Sequence, residues 1–259
     1  MQLTSVHHPQ LREIRKAANS GRPMPDGTIV AEGPHLLEEA RRSSWTVEQI
    51  FHTNAAAERF PELLREGEVL ATQVAERAFA SIASTETTQG ILALVRPRSW
   101  TWADITSGPR ALVVVLDGIQ DPGNVGTILR SAEAFGAAGA ILAEGSARVS
   151  NGKLLRAAAG SLFRVPFLEG VTRREIRSGL KTAGLKMYAL AGRGKLMLAD
   201  CDFRYPCALV AGNEGAGVSE DFVREAEPVR IPTAGVESLN AAVACSIALF
   251  EAARRRGTG

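Results

Sequence analysis

The chain reads as an α/β protein in two parts, a small N-terminal α/β domain and a larger C-terminal domain built on a parallel sheet. Three observations carry this. Strand-like and helix-like segments alternate along all 259 residues, the pattern that gives parallel sheets with helices on their faces. The run Ala111-Leu112-Val113-Val114-Val115-Leu116 is apolar without a break, as in a strand covered on both sides. A stretch of prolines and polar residues without periodicity, 96–110, separates the two alternating series and suits an exposed linker. The expected domains are therefore 1–95 and 111–259.

The N-terminal series begins with a basic arm carrying Arg12, Arg15, Lys16 and Arg22. Short β-prone pieces follow at 28–31, 47–52, 69–71 and 90–95, with helical pieces at 34–42, 61–65 and 75–83. After the linker, strands are expected at 111–116, 140–143, 165–168, 186–191, 208–211 and 228–231. Helices are expected at 125–135, 172–183, 219–225 and 239–255. The last of these is apolar nearly all round, which predicts burial in the core or in a subunit interface.

Composition removes whole classes of activity. Hydrophobic residues make up 45% and charged residues 22% of the chain, as in ordinary soluble domains. No apolar run approaches the roughly 18–20 residues of a membrane span. The first residues lack the basic-then-apolar layout of a secretory signal, so a cytoplasmic protein without membrane partners is expected. The cysteines Cys201, Cys207 and Cys245 are odd in number and lack CxxC spacing, which argues against disulfide and zinc frameworks. All four histidines, His7, His8, His35 and His52, lie in the first fifth of the chain. The later domain therefore has no histidine base, no Ser-His-Asp triad and no HExxH site, and no metal is expected.

The net charge of +2 hides an uneven distribution. Residues 1–95 hold 9 Lys/Arg against 12 Asp/Glu, and residues 148–181 hold 8 against 2. The second stretch, with Lys153 and Arg156, could meet nucleic-acid phosphates or form a solvated face.

In an open parallel sheet ligands sit beyond the carboxyl ends of the strands, and three such loops stand out. The first, 117–124, ends in Asp121-Pro122-Gly123-Asn124 and leads into a helix carrying Arg130. Asp121 and Asn124 are good capping residues, but capping does not account for Arg130. The second is Gly212-Asn213-Glu214-Gly215-Ala216-Gly217, whose glycines permit close backbone approach. Its spacing is GxxGxG rather than the dinucleotide-binding GxGxxG, and no acidic residue follows at the expected distance, which sets aside a Rossmann dehydrogenase. The third, Ile231-Pro232-Thr233-Ala234-Gly235-Val236-Glu237-Ser238-Leu239-Asn240, opens the last helix.

Together, in this order, the three loops resemble the motifs of the SpoU (TrmH-like) family of SPOUT RNA 2′-O-ribose methyltransferases: D-P-x-N-x-G-x-x-x-R at 121–130, G-N-E-G-x-G at 212–217 and I-P-x-x-G-x-x-S-L-N at 231–240. Residues 32–40 and 88–93 resemble the L30e-like substrate-binding domain that many members carry, so the likeness spans nearly the whole chain.

The resemblance implies a SPOUT fold with a deep trefoil knot, an exception to the rule against knotted chains. It also implies a homodimer whose active site draws on both subunits. It places S-adenosyl-L-methionine against the knot, near Leu190, Gly212, Asn213, Gly217, Ile231 and Leu239. Asn124, Arg130, Glu214, Ser238 and Asn240 fall on the family's functional polar positions, and Arg12, Lys16, Lys153 and Arg156 are candidate RNA contacts. Thr233 departs from the family, where many relatives have methionine.

The expected activity is methylation of a ribose 2′-hydroxyl, in 23S rRNA by analogy with the L30e-like extension. A tRNA substrate and a non-catalytic RNA-binding role are the alternatives. Such a transfer needs in-line alignment and help for the departing proton. A guanidinium is a permanent cation. Arg130 is therefore expected to orient the target phosphate and ribose; the candidate proton acceptors are Glu214, an RNA phosphate acting through Arg130, and Arg130 itself, which would need an unusual environment.

Overall fold

The computed structural model describes residues 2–65 and 69–257. The chain divides into two compact units, Met1–Ser99 with Arg148–Arg164, and Trp100–Ala147 with Val165–Gly259.

Along the first unit run β1 (Gln2–Leu3), α1 (Pro9–Ser20), β2 (Ile29–Glu32), α2 (Pro34–Arg41), β3 (Thr46–His52), α3 (Asn54–Arg59), α4 (Pro61–Arg65), β4 (Leu70–Val74), α5 (Glu76–Ala80) and β5 (Ile91–Arg96). The strands form one mixed sheet in the order β1-β4-β3-β5-β2, with β2 and β3 antiparallel to β5 and β3 parallel to β4. The basic arm expected at the start is an ordered helix. Leu11, Ile14 and Ala17 of α1 recur at helical spacing and are buried with Phe51, Phe79 and Leu92, while Arg12 and Lys16 face out. Charge alone had obscured this amphipathic pattern.

The second unit contains α6 (Trp102–Thr106), β6 (Leu112–Asp117), α7 (Pro122–Ala134) and β7 (Gly139–Ala143). Next comes α8 (Gly152–Ala158), which belongs to the first unit, and the second resumes with β8 (Phe167–Val171) and α9 (Arg173–Thr182). It ends with β9 (Lys186–Leu190), β10 (Leu196–Met197), β11 (Cys207–Gly212), α10 (Glu220–Val223), β12 (Glu227–Arg230) and α11 (Ala241–Arg256). The sheet order is β10-β12-β9-β11-β6-β7-β8, and every recorded pairing is parallel. Both faces are covered, so all six residues of β6 are buried, as its sequence requires.

Two features lie outside what local periodicity reports. The supposed linker carries α6, because Thr101 and Asp104 form a reciprocal cap that satisfies the first free amides. Ile105 enters the second core, and Trp102 lies where a Cβ on Gly179 would stand. Residues 148–164, read as part of the C-terminal domain, cluster instead with the first unit. There Trp45 meets Phe163 edge-to-face at 4.8 Å, and Ser150 Oγ donates to the Gly21 carbonyl at 2.6 Å. That association rests on residues distant in sequence, which local periodicity does not report.

Topology places the functional loops. Strand β6 is flanked by β7 on one side and β11 on the other, so the strand order reverses at the β6/β11 boundary, where Asp117 and Gly212 are in register. A crevice beyond the carboxyl ends follows at such a point. At the other edge, Val229 of β12 pairs with both Leu190 and Leu196. The link between β9 and β10 therefore crosses β12. Only glycine allows the crossing, since a Cβ at Gly194 would lie 2.7–2.8 Å from the backbone of residues 228–230.

Candidate active site

Four segments of the second unit meet around a cavity of about 340 Å³. Leu190 to Gly192 form one wall, Gly212 to Val218 a second, and Ile231 to Leu239 a third, with Ala241 and Ala244 of α11 closing it. All six residues expected near a cofactor, Leu190, Gly212, Asn213, Gly217, Ile231 and Leu239, line this cavity, as do Glu214, Ser238 and Thr233. The glycine loop folds tightly on itself. A Cβ on Gly212 would collide with the backbone of Gly217 and Val218. Asn213 pins the loop by accepting from Gly215 N at 2.9 Å and Ala216 N at 3.3 Å, while its Nδ2 donates to the Gly118 carbonyl at 3.1 Å.

Asn124 joins the three loops. Its backbone amide donates to Asp121 Oδ1 at 2.9 Å, capping α7. Its Nδ2 donates to Glu214 Oε1, and its Oδ1 accepts from Asn240 Nδ2 at 3.2 Å. Asn240 caps α11 with the other end of its amide, accepting from Ala242 N at 2.9 Å and Val243 N at 3.3 Å. One side chain thus links the first loop to the second and third, and both helix caps share the network.

Arg130 stands apart. It is exposed on α7, does not line the cavity, and has no hydrogen-bond or ion-pair partner among the described residues. Its helix packs on α11, where Ser131 Oγ lies 2.7 Å from Ser246 Oγ and Phe135 meets Phe250 at 5.7 Å. Within one chain, α11 buries one side only. Ala241, Cys245, Ala248, Leu249 and Ala252 face the core, but Val243, Ile247 and Phe250 are 48%, 36% and 52% exposed. These positions form an apolar stripe on the outer face.

The candidate RNA contacts all lie in the first unit. Arg12 and Lys16 line one groove with His7, Arg15 and Asn19. Lys153 is exposed, and Arg156 donates to Ser84 Oγ at 2.9 Å.

Sequence reasoning passed over Asp117. The residue is 2% exposed at the end of β6, where an ionised carboxylate is tolerated only if paired and hydrogen-bonded. Arg173 Nε donates to its Oδ1 at 2.6 Å and Ser219 N to its Oδ2 at 2.7 Å, which anchors the far end of the glycine loop. The readable signal was a single charge closing an otherwise apolar strand. Glu237 and Gly192 were also missed. Both line the cavity.

A glycine-folded loop at a topological switch point, beside a cavity lined by backbone and apolar side chains, is where doubly wound α/β proteins bind their ligands. Residues 111–250 match the SpoU rRNA Methylase family and residues 9–93 the MRM3-like substrate binding domain; the chain belongs to the SpoU rRNA methylase family. It is 33% identical over 254 residues to the 23S rRNA (guanosine(2553)-2′-O)-methyltransferase RlmP of Bacillus subtilis, covering 96% of this chain and 98% of that protein. Among solved structures it is similar to the SpoU methyltransferase AviRb from Streptomyces viridochromogenes in complex with AdoMet. There the TM-score is 0.87 at 27% identity, over 98% of this chain and 100% of that one. The AdoMet-bound rRNA methyltransferase from Sinorhizobium meliloti is likewise similar, with a TM-score of 0.86 at 30% identity over 98% and 97%.

Proposed function

We propose that the protein transfers a methyl group from S-adenosyl-L-methionine to a ribose 2′-hydroxyl of 23S rRNA. The observation that carries this reading is the convergence of the three loops on one cavity through Asn124. The cavity fits the cofactor. Its glycine cradle has no room for a side chain, its walls are mostly apolar, and it contains no basic side chain to repel a sulfonium. When bound, S-adenosyl-L-methionine supplies a methyl group activated by that sulfonium.

The chain's own residues do the rest. The backbone of Gly212, Asn213 and Gly217, with Leu190, Ile231 and Leu239, holds the cofactor in one orientation, which provides the alignment an in-line displacement needs. Glu214 and Asn240, fixed through Asn124, border the space where the ribose enters, and Ser238 lies on the same rim. Arg130 is the cation that binds the target phosphate and ribose and favours loss of the hydroxyl proton as negative charge develops.

In one chain Arg130 lies outside the cavity. We infer that a second copy completes the site, in a homodimer formed through the exposed Val243, Ile247 and Phe250 stripe. An apolar patch of this kind on a soluble protein marks an interface. The crossing of the β9–β10 link over β12 supports a knotted chain in this unit. The basic groove of α1, together with Lys153 and Arg156, is the proposed contact for RNA phosphates, which bind such surfaces without reading sequence. Among the described residues no helix is long and apolar enough to cross a membrane, and the reading places the enzyme in the cytoplasm with the ribosome.

Mass-spectrometric nucleoside mapping of rRNA and tRNA from cells with and without the protein tests the assignment. A 2′-O-methyl nucleoside in 23S rRNA that vanishes with the protein is the expected result. Loss from tRNA alone, or no loss, overturns it.

A further inference from the structure

The cavity has an electrical asymmetry that its backbone contacts do not explain. Glu214 and Glu237 are the ionisable side chains on its lining; no Lys, Arg or His side chain faces them there. The two carboxylates differ in commitment. Glu214 accepts from Asn124, whereas Glu237 is exposed and has no hydrogen-bond or ion-pair partner among the described residues. Its backbone lies close to the first wall, since a Cβ on Gly192 would stand 3.1 Å from the Glu237 carbonyl oxygen. That contact joins the first wall of the cavity to the third. Much of the remaining lining is apolar, with Leu190, Val229, Ile231 and Leu239.

Resting on the methyltransferase reading, we propose that Glu237 is a specificity-determining residue that selects the cationic methyl donor over the spent, neutral thioether product. In the transfer an S–C bond breaks and an O–C bond forms, the sulfur keeps the bonding pair, and the hydroxyl proton leaves. The bound molecule thereby loses one positive charge. A carboxylate at the cavity wall attracts the form that enters more than the form that must leave, which raises occupancy by substrate and relieves product inhibition. Positive charge on sulfur falls on the way to the transition state, so the attraction belongs to the ground state. Its removal raises KM for the donor without lowering kcat.

Calorimetric titration of S-adenosylmethionine and S-adenosylhomocysteine into the wild-type protein, Glu237→Gln and Glu237→Asp tests this at low and moderate salt. In Glu237→Gln the donor is expected to bind about two- to fivefold more weakly, the range for a partly exposed charge pair, with product binding unchanged. Glu237→Asp is expected to keep most of the preference, and salt is expected to erode it in the wild-type protein. Equal weakening of both compounds, or an unchanged ratio of the two affinities, overturns the proposal. A wild-type protein that bound neither compound would overturn the methyltransferase reading itself, a result distinct from both.

Discussion

At the scale of single residues, the site divides into groups that build it and groups that act. Asn124, Asp121 and Asn240 are committed to caps and to one another, whereas Arg130 is exposed without a partner among the described residues. Substituting the two kinds should therefore separate binding from turnover. Arg130→Ala is expected to lower kcat by about 10²-fold or more, the effect of removing one preorganised charge-stabilising group. Calorimetry should show donor affinity unchanged, and near-normal turnover would remove Arg130 from the mechanism. Asp117 belongs to the builders. Asp117→Ala leaves the Arg173 guanidinium and the Ser219 amide without their acceptor. The expected loss is about 3 kcal/mol, the low end for breaking a buried pair, because Arg173 still reaches water with its side chain 35% exposed. Chemical denaturation measures it.

At the scale of elements, loop conformation and helix ends carry the consequences. Because a Cβ on Gly212 would meet the Gly217 and Val218 backbone, Gly212→Ala must open the glycine loop. Donor binding should then weaken at least tenfold while the circular dichroism of the fold persists; normal affinity would show that the cradle does not depend on this close approach. Helix α11 has an acid-sensitive end. Glu251 accepts from Arg254 at 2.8 and 2.9 Å and from Arg255 at 2.7 Å, and these bonds hold its carboxyl down at about 2 from an ordinary 4.5. A depressed carboxylate contributes stability that is fully present above its unfolded value and is lost as pH falls through the folded one. Melting temperature should accordingly drop between about pH 4.5 and 2, and Glu251→Gln should flatten that part of the curve while lowering stability at neutral pH.

At the scale of the whole molecule, the outward stripe of α11 is the feature that one chain leaves unfinished. Val243, Ile247 and Phe250 recur at helical spacing and remain exposed, on the helix against which the arginine-bearing α7 packs. If a second copy covers them, Ile247→Asp should shift the protein from dimer to monomer in sedimentation. It should also abolish methyl transfer while each chain stays folded. A wild-type monomer with full activity would exclude a shared site.

The sequence by itself determined the α/β class, the parallel sheet and the three chemical loops. Each depends on local signals: an unbroken apolar run such as 112–116, caps at Asp121 and Asn240, glycines packed into 212–217. The residues that the family resemblance implied near a cofactor line the cavity. What the sequence could not report was anything set by pairing at a distance. The charge of α1 concealed its buried face, and α6 lay hidden among prolines. Residues 148–164 joined a unit that local periodicity does not identify. The partners of Asp117, the placement of Glu237 on the cavity lining and the crossing of the β9–β10 link over β12 arise only when strands far apart in the chain lie side by side. Periodicity records which side of an element is apolar. Which surface meets it, and which charge is left facing a cavity, is decided by the folded whole, because burial and hydrogen-bond satisfaction are properties of the assembled packing.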